Sequence, residues 1–481
     1  MAAPPPRPAS CSPDPVRSIR STRPRTSRPR DVRIVPTSPT PGPHVEFPTA
    51  CRIMGPARSS QGETPHMPRR QGYALLIALV AGTAVLAAAV AFGTTLLSGP
   101  RSTPLPPAET QAAARNPVDP AASGGTWIAT WTAAPVRGEP GTEGGLPGRT
   151  IRNVVHTSIG GNVARITLSN LFGTAPLVID QATVNTRPVT FKGAAAVTVA
   201  AGGRVISDPV VVPVAPDSDL QVSFRTPQAG GPVTYHPNSH QTSYLIDERG
   251  TWTTTHWRYL TAVDVRSERA RGAVVALGDS LTAGSGSTTD ANARWPDVLA
   301  DRLGGRYGVA NAGIAGNRVV GVGRGTGGQA GTDRLDRDAL SVAGARTLVV
   351  ALGINDVQQS PQEADPQRIV DSLRALADRA HARGLSVVGA TLTPFEGFAT
   401  WTPQREAVRQ AVNEQIRAGT VFDAYVDFDA AVRDPAAPGR ILTSYDSGDH
   451  LHLNDDGYRA LGDHVDPKLL DRAGAPRSDA L

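Results

Sequence analysis

The chain has 481 residues, enough for two or three domains, and its 40% hydrophobic and 19% charged content is typical of a globular protein. Its net charge of +5 is unevenly placed: twelve Arg and four acidic residues before Gly72 give that stretch +8, so the remainder carries −3. A mildly acidic body offers no basic stripe for a phosphate backbone, which argues against nucleic acid as a partner.

Residues 1–72 are rich in Pro, Arg and Ser and show no apolar periodicity. Such a segment cannot bury enough apolar surface to offset its ordering entropy, so we predict a disordered tail. Residues 67–70 (MPRR) are typical of the charged start of an export signal, and a translation start at Met67 would leave the tail untranslated. Both cysteines, Cys11 and Cys51, lie in this tail. The rest of the chain therefore cannot form a disulfide, which fits both the cytosol and a large exported enzyme.

Residues 73–97 form an apolar run of roughly 25 residues without a charge, longer than the ~20 needed to span a bilayer. The two Arg residues before it favour a cytoplasmic N-terminus, which places the downstream chain outside the cytoplasm. Two interpretations stay open: the length favours a retained transmembrane anchor, whereas the small residues 89–91 would serve as the cleavage site of a signal peptide.

Residues 98–125, rich in Pro, Ala, Ser and Thr, predict a linker. Short β-patterned segments follow, separated by Gly, Pro, Asn or Asp, at 127–132, 150–158, 163–169, 177–184, 195–199 and 220–224. Apolar and polar residues alternate most clearly in 163–169 and 220–224. Strands of this length and spacing predict a jelly-roll-like β-sandwich domain over residues 126–265.

The pattern changes at residue 272. Apolar, β-branched runs alternate with helical patterns, the runs at 273–277, 347–352, 386–391 and 425–428 and the helices at 295–303, 366–383, 403–417 and 456–470. This rhythm indicates βαβ units, so we predict an α/β domain over residues 272–473, with a parallel sheet flanked by helices on both faces.

Polar residues follow two of these predicted strands, at the carboxyl ends where ligands bind in open α/β sheets. Ser280 lies in residues 278–281 (GDSL), where helix N–H groups would face any developing anion. Asn355, in residues 353–356 (GIND), offers a neutral amide donor suited to an oxyanion. The alternatives are a serine that only caps a helix and a plain turn.

Asp449 and His452 lie late in the chain, in residues 449–454 (DHLHLN). A catalytic base needs a third group to fix its tautomer, and an Asp three residues upstream can reach the ring. A solvated polar loop is one alternative. A metal site is the other, although neither an HExxH helix nor a cysteine supports zinc; its candidate ligands are Asp446, Asp449, His450, His452, Asp455 and Asp456.

In the order Ser, Asn, Asp-His, these motifs make residues 272–473 resemble the SGNH (GDSL-type) hydrolase family. The resemblance implies a parallel-sheet α/β fold in which Ser280 is the nucleophile, His452 the general base and Asp449 the residue that orients the base. It implies that the enzyme uses no cofactor and no metal.

The resemblance also implies an oxyanion hole. Its donors are the backbone N–H groups of Ser280 and Gly316 and the side-chain amide of Asn355. Gly316 lies in residues 311–317 (NAGIAGN), where Gly313 is the alternative donor.

The β-patterned region followed by this α/β region resembles exported two-domain esterases, including xylan-deacetylating ones. We therefore expect an exported serine ester hydrolase that removes short acyl groups, such as acetyl, from carbohydrate. A lipase or lysophospholipase-like esterase, an acyltransferase acting on a cell-wall carbohydrate and a non-catalytic carbohydrate-binding protein are the alternatives. The substrate is a small-molecule or polysaccharide ester, and the apolar segment is the predicted contact with the membrane.

Aromatic and histidine residues of the β-patterned region are a further set of candidates. Trp127 and Trp131, on its first predicted strand, would serve either to stack on a sugar or as buried anchors. His236 and His240 are expected near the junction of the two regions, without an assigned role.

Overall fold

The structure is a computed structural model that describes residues 125–323 and 327–471. The predicted tail, the apolar segment 73–97 and all but the last residue of the predicted linker lie outside the described residues. Among the residues that are described, no helix is long and apolar enough to cross a membrane. The β-rich and α/β regions belong to one compact unit.

The first region consists of antiparallel strands. They are β1 (Thr126–Thr132), β2 (Arg137–Gly138), β3 (Arg149–Thr157), β4 (Gly161–Ser169), β5 (Leu177–Val184), β6 (Arg187–Pro188), β7 (Val197–Val199), β8 (Arg204–Ile206), β9 (Val210–Val214), β10 (Ser218–Thr226), β11 (Thr234–His236), β12 (Ser243–Asp247), β13 (Gly250–Thr254), β14 (Trp257–Arg258) and β15 (Leu260–Ser267). One sheet has the order β1-β15-β4-β8, with β9 also on β4; a second has the order β13-β12-β3-β10-β5-β6, with β7 on β5; a small third sheet is β14-β11-β2.

The two larger sheets share one apolar core. On β10, Leu220, Val222 and Phe224 are buried at every second position, as expected of a strand with one face against a core. They pack in one cluster with Ile128 and Ile166 of the other sheet. The antiparallel sheets thus agree with the predicted all-β region, while its jelly-roll-like connectivity stays a prediction.

The second region alternates strands and helices. Its parallel strands are β16 (Ala273–Gly278), β17 (Gly308–Gly313), β18 (Ala345–Ala351), β19 (Ser386–Ala390) and β20 (Ala424–Val426), and a hairpin is formed by β21 (Arg433–Asp434) and β22 (Ala437–Ile441). The helices are α1 (Ser280–Ala283), α2 (Trp295–Leu303), α3 (Gly331–Leu335), α4 (Ile354–Gln358), α5 (Pro366–His381), α6 (Pro403–Arg417), α7 (Phe428–Val432), α8 (Asp455–His464) and α9 (Pro467–Leu470), and a π-helical turn, Asp336–Leu340, follows α3.

The parallel sheet has the order β17-β16-β18-β19-β20. Every residue of β16, an interior strand, is buried, because helices cover both faces. Val275 and Leu277 face a core that includes residues of α5 and α6, whereas Val274 and Ala276 face one that includes residues of α2 and α8. The chain reverses its direction of strand addition beside β16, and the carboxyl ends at such a switch point form a crevice where ligands bind.

The α/β region also differs from the predicted pattern of strands and helices. Strand β17 was not predicted, because its sequence, GVANAG, is made of small residues and lacks the β-branched run that marked its neighbours. The predicted helix 456–470 is two helices, since α8 ends at His464 and α9 begins at Pro467. The proline ring disfavours a helical conformation at the residue before it, which separates them.

The β region covers the outer edge of the parallel sheet, which is strand β17. Ser158 Oγ donates to Thr130 O at 2.7 Å and accepts from Val309 N at 2.9 Å. Thr132 Oγ1 donates to Asn311 O at 3.0 Å. An exposed edge strand presents unpaired backbone groups that promote aggregation. These contacts therefore protect the β17 edge of the parallel sheet.

Gly308, at the start of β17, provides a test of this contact. A Cβ at this position would lie 2.1 Å from the carbonyl oxygen of Ala129 on β1. We expect Gly308→Ala to lower the free energy of unfolding by about 1–3 kcal/mol, because backbone rather than a movable side chain is in the way. Urea denaturation measures the change.

Gly144→Ala is the matched control, because nothing lies within 4 Å of an added Cβ there. Equal stability of the two variants would contradict the close approach of β1 to β17.

Candidate active site

Ser280 lies directly after β16, at the switch point of the sheet. Strand β16 ends at Gly278, where a Cβ would lie 2.0 Å from Thr282 Oγ1, so the tight turn requires glycine. Asp279 caps the following short helix, its carboxylate accepting from Leu281 N at 3.0 Å. Ser280 is therefore the first residue of α1, with 5% of its surface exposed, and not the cap that the alternative interpretation assigned.

His452 lies 172 residues after the serine, on the same loop as Asp449. His452 Nε2 is 2.9 Å from Ser280 Oγ, and His452 Nδ1 is 2.6 Å from Asp449 Oδ2. Since an ionised carboxylate only accepts hydrogen bonds, Nδ1 carries the proton and Nε2 accepts from the serine hydroxyl. The structure thus brings the three predicted residues into one hydrogen-bonded chain.

Asp449 is held in its ionised form by the loop that contains it. Burial opposes ionisation, but hydrogen bonds from the backbone N–H and the ring of His452, together with the N–H of Leu451, lower the pKa of Asp449 below its usual value. The two backbone donors lie 2.8 and 3.0 Å from Oδ1. The other oxygen is thereby left to orient the imidazole.

The second histidine of this loop is paired elsewhere. His450 Nδ1 lies 2.6 Å from Asp446 Oδ2, and the His450 N–H donates to Asp446 Oδ1 at 3.0 Å. The two histidines therefore use two different carboxylates. In the described part of the chain, no group of three or more His, Cys, Asp or Glu is arranged to hold a metal ion. The independence of the reaction from metals and cofactors stays a prediction.

Asn355 and Gly316, two of the predicted oxyanion donors, lie close to each other. Asn355 is the second residue of α4, and its Nδ2 donates to the carbonyl of Asn317, the residue after Gly316, at 3.0 Å. Its Oδ1 accepts from Gln358 Nε2 at 2.7 Å and Gln359 Nε2 at 3.1 Å. These contacts fix the amide orientation and leave its second N–H available to a ligand.

The two glycine candidates differ in what their N–H groups contact. The Gly313 N–H donates to Asn311 Oδ1 at 2.9 Å. Within the described residues no protein acceptor lies against the N–H of Gly316, which has a left-handed φ of 78°. This difference favours Gly316 over Gly313 as a donor to substrate, although the role itself stays a prediction.

Asn317 is a residue of this site that the sequence pattern did not single out. Its side chain, fully buried, donates to Gly327 O at 2.6 Å and Gln329 O at 2.7 Å, and its Oδ1 accepts from Arg334 Nε at 3.0 Å. It lies inside the motif 311–317, so its position was visible, but only the fold reveals what it contacts.

The β region reaches the loop that follows the serine helix. Asp290 accepts from Thr242 N at 2.5 Å and Thr242 Oγ1 at 2.6 Å, and its own N–H donates to His240 O at 3.0 Å. Burial, with a smaller effect of nearby Arg294, lowers the pKa of His240. This histidine lies at the junction, as the sequence predicted.

The remaining candidates of the β region contact other groups of the protein. His236 is buried with Nδ1 2.8 Å from Ala134 O, and burial lowers its pKa to about 4. Trp131 is 5% exposed and packs edge-on against Trp257, their ring centroids 4.8 Å apart. These contacts favour the interpretation of Trp131 as a buried anchor. Trp127 lies against the guanidinium groups of Arg165 and Arg266.

Two buried carboxyl groups lie beside the catalytic loops. Burial raises the pKa of Asp279 to about 7 and that of Asp356 to about 6. The Asp356 carboxylate accepts from the N–H groups of Val319 and Val320 at 2.9 and 2.8 Å. It therefore anchors the segment that follows Gly316 and Asn317.

Comparison with known proteins finds one family model that matches part of the chain. Residues 276–460 match the GDSL-like lipase/acylhydrolase family. No curated protein sequence is significantly similar to the chain.

Three solved structures are similar to part of this chain. A carbohydrate acetylesterase family member from Sinorhizobium meliloti is 19% identical, with a TM-score of 0.36, over 42% of this chain and 100% of its own. An aryl esterase from M. smegmatis is 18% identical, with a TM-score of 0.33, over 40% of this chain and 94% of its own. A GDSL-like lipase from Bacteroides thetaiotaomicron VPI-5482 is 17% identical, with a TM-score of 0.32, over 41% of this chain and 88% of its own.

The raised pKa of Asp279 gives a testable pH dependence of stability. The folded state holds this proton to a higher pH than the unfolded state, so the group favours folding in acid and that contribution is lost between about pH 4 and pH 7. We expect Asp279→Asn, which keeps an oxygen for the Leu281 N–H, to reduce the loss of Tm over this range. Thermal denaturation at a series of pH values measures it.

Asp208→Asn is the control of opposite sign. The N–H of Gly193 and the hydroxyl of Thr190 lower the pKa of Asp208, so its ionised form stabilises the fold and replacing it should cost stability at neutral pH. Parallel Tm profiles of wild type and Asp279→Asn would contradict the burial of an acidic group beside Ser280.

Proposed function

We propose that the GDSL-like lipase/acylhydrolase domain of this chain, which makes the protein a carboxylic ester hydrolase, removes short acyl groups such as acetyl from carbohydrate through an acyl-enzyme intermediate. The observation that carries the mechanism is the hydrogen-bonded chain from Ser280 Oγ through His452 to Asp449, with distances of 2.9 and 2.6 Å. A serine hydroxyl is a weak nucleophile unless an adjacent base removes its proton.

In the first half of the proposed reaction, Ser280 Oγ attacks the ester carbonyl carbon while His452 Nε2 takes the hydroxyl proton. The tetrahedral intermediate collapses when the imidazolium gives this proton to the leaving alcohol. Asp449, which stays ionised, stabilises the imidazolium and holds its ring in the orientation that faces Ser280. In the second half, His452 takes a proton from a water molecule, which attacks the acyl-enzyme carbonyl carbon. Collapse of this second intermediate releases the acid, and His452 returns the proton to Ser280 Oγ.

The negative charge of each tetrahedral intermediate needs donors that are already in place. We assign this role to the N–H groups of Ser280 and Gly316 and to the free N–H of the Asn355 amide. The support for it is the fixed orientation of Asn355, which three hydrogen bonds determine. Donors held in this way need no reorganisation as the charge develops.

The carbohydrate substrate and the location outside the cytoplasm belong to the same proposal. They are supported by the apolar segment 73–97, with Arg residues before it, and by the all-β region that precedes the hydrolase domain. The segment would act either as a retained anchor or as a signal peptide. Transfer of the acyl group to a carbohydrate acceptor would use the same three residues and differ only in excluding water.

Substitution of the proposed catalytic residues tests the mechanism. Ser280→Ala and His452→Ala should each lower kcat by about 10³–10⁶, and the double variant little more, because the residues act as a unit. Asn355→Ala removes one oxyanion donor and should cost about 10²–10³. Hydrolysis of p-nitrophenyl acetate, with circular dichroism to confirm folding, provides the measurement.

His450→Ala is the matched control, since this histidine has its own carboxylate partner on the same loop. It should keep most of the activity. Loss of turnover in His450→Ala but not in His452→Ala would show that His452 is not the base. Full activity of Ser280→Ala would overturn the mechanism.

A substrate series tests the choice of ester. We expect kcat/KM to be highest for acetyl and to fall with chain length among p-nitrophenyl esters, and free acetate to appear from acetylated xylan. Ser280→Ala serves as the blank for spontaneous hydrolysis. A rate that increases towards long acyl chains, or turnover of a lysophospholipid in preference to acetylxylan, would favour the lipase-like alternative. Acetyl transfer to an added sugar in place of acetate release would favour the acyltransferase.

A further inference from the structure

Arg334 on α3 is a fully buried arginine behind the candidate site, and no step of the proposed reaction uses it. Its exposed fraction is 0%. It has no counterpart among the sequence motifs, yet a guanidinium is costly to remove from water unless its donors are satisfied. The reason for its burial must therefore lie in the groups that it contacts.

The guanidinium donates to three segments of the catalytic machinery at once. Nη2 donates to Gly278 O at 2.8 Å, at the end of the strand that leads to Ser280. Nη1 donates to Ala312 O at 2.7 Å, on the strand that leads to Gly316. Nε donates to Asn317 Oδ1 at 3.0 Å.

A carboxylate completes the environment of this cation. Asp338 Oδ2 lies 3.3 Å from Arg334 Nη1, and Asp338 itself is held by Arg337. Burial lowers the pKa of Arg334 to about 10, opposed by Asp338, so the side chain stays protonated at neutral pH. All of its contacts are thus charge-assisted, which makes them short and directional.

The contact with Asn317 extends to the oxyanion donors. The backbone carbonyl of Asn317 accepts from Asn355 Nδ2 at 3.0 Å, and its backbone N is joined directly to Gly316. A shift of Asn317 would therefore move two of the three proposed donors together. A shift of Gly278 would move the third, the N–H of Ser280.

We propose that Arg334 is a positioning residue that sets the mutual distance of the oxyanion donors by joining Gly278, Ala312 and Asn317 through one rigid guanidinium. This inference rests on the proposed function, because it assigns to Arg334 an effect on the transition state of ester hydrolysis. A planar group with fixed donors transmits position better than a flexible ammonium, so lysine does not replace it.

The test compares Arg334→Met and Arg334→Lys in the full chain, with p-nitrophenyl acetate as substrate. A misplacement of about 1 Å costs up to about 10²-fold in rate, so we expect kcat to fall about 10- to 100-fold in the methionine variant, with KM little changed. KM is spared because the donors act on the transition state more than on the bound ester. The lysine variant should lose less, since it keeps the charge.

Two further readouts separate positioning from general stability. An alkyl boronic acid forms a tetrahedral adduct on the serine, and its inhibition constant should rise by the same factor by which kcat/KM falls. Guanidinium chloride, at concentrations too low to denature, should restore part of the rate of Arg334→Met and none of that of Ser280→Ala. Neither effect is expected if Arg334 only stabilises the fold.

Arg409 on α6 is the matched control. It is also 0% exposed and donates to Leu392 O at 2.7 Å and Asp429 Oδ1 at 2.6 Å, but it contacts none of the catalytic segments. Arg409→Met should lower Tm, as Arg334→Met does, while the folded protein keeps the wild-type kcat.

The outcomes are distinguishable from a failure of the proposed function. An inactive wild type, or activity that survives Ser280→Ala, would refute the proposed function. Wild-type activity that depends on Ser280, combined with unchanged kcat and boronic acid affinity in both Arg334 variants, would refute the positioning role. If Arg334→Met does not fold, Arg334→Lys decides on the same criteria.

Discussion

The hydrogen bond from Ser280 Oγ to His452 Nε2 joins two residues 172 positions apart in sequence, and the proposed reaction depends on it. A single hydrogen bond contributes only about 0.5–1.5 kcal/mol to stability, too little to hold two loops in place. The position of each end must therefore be fixed by its own surroundings. Ser280 is positioned by the buried strand β16 and by a turn that admits only glycine at 278. His452 is positioned by the Asp449 carboxylate and by the backbone β-bridge between Asp446 and Leu453.

The ionisable groups buried near the serine affect the pH dependence of stability and the positions of the surrounding groups. Asp279 and Asp356 lie in surroundings that favour their neutral forms, which costs stability as the pH rises. Arg334 lies in the same region with its donors on backbone and side-chain oxygens. A protein selected only for stability would fill this space with apolar side chains, since a buried ionic group is often no better than a hydrophobic one of similar size. The charges are consistent with a site in which position matters more than stability.

The sequence was sufficient to predict three side chains that the fold brings into one hydrogen-bonded chain. Ser280, Asp449 and His452 each lie in a short motif with a recognisable spacing, and the strand before Ser280 has a clear apolar run. The small residues of β17 gave no such signal, because a strand protected by a neighbouring sheet does not need large apolar side chains of its own. Arg334 could not have been predicted either, since its contacts at Asn317, Ala312 and Gly278 lie 17 to 56 residues away and only the folded chain distinguishes it from a surface arginine.

The β region and the oxyanion side of the site are connected through strand β17. Ser158 and Thr132 hold the outer edge of this strand at Val309 and Asn311. The same strand presents Ala312 O to Arg334 and leads within three residues of its end to Gly316. Because a packed strand moves as a unit, the edge contact restrains the loop that carries a proposed oxyanion donor. The β region therefore contributes to the geometry of the candidate site even though it supplies none of Ser280, Asp449 and His452, which gives a physical reason for its direct contact with the α/β region.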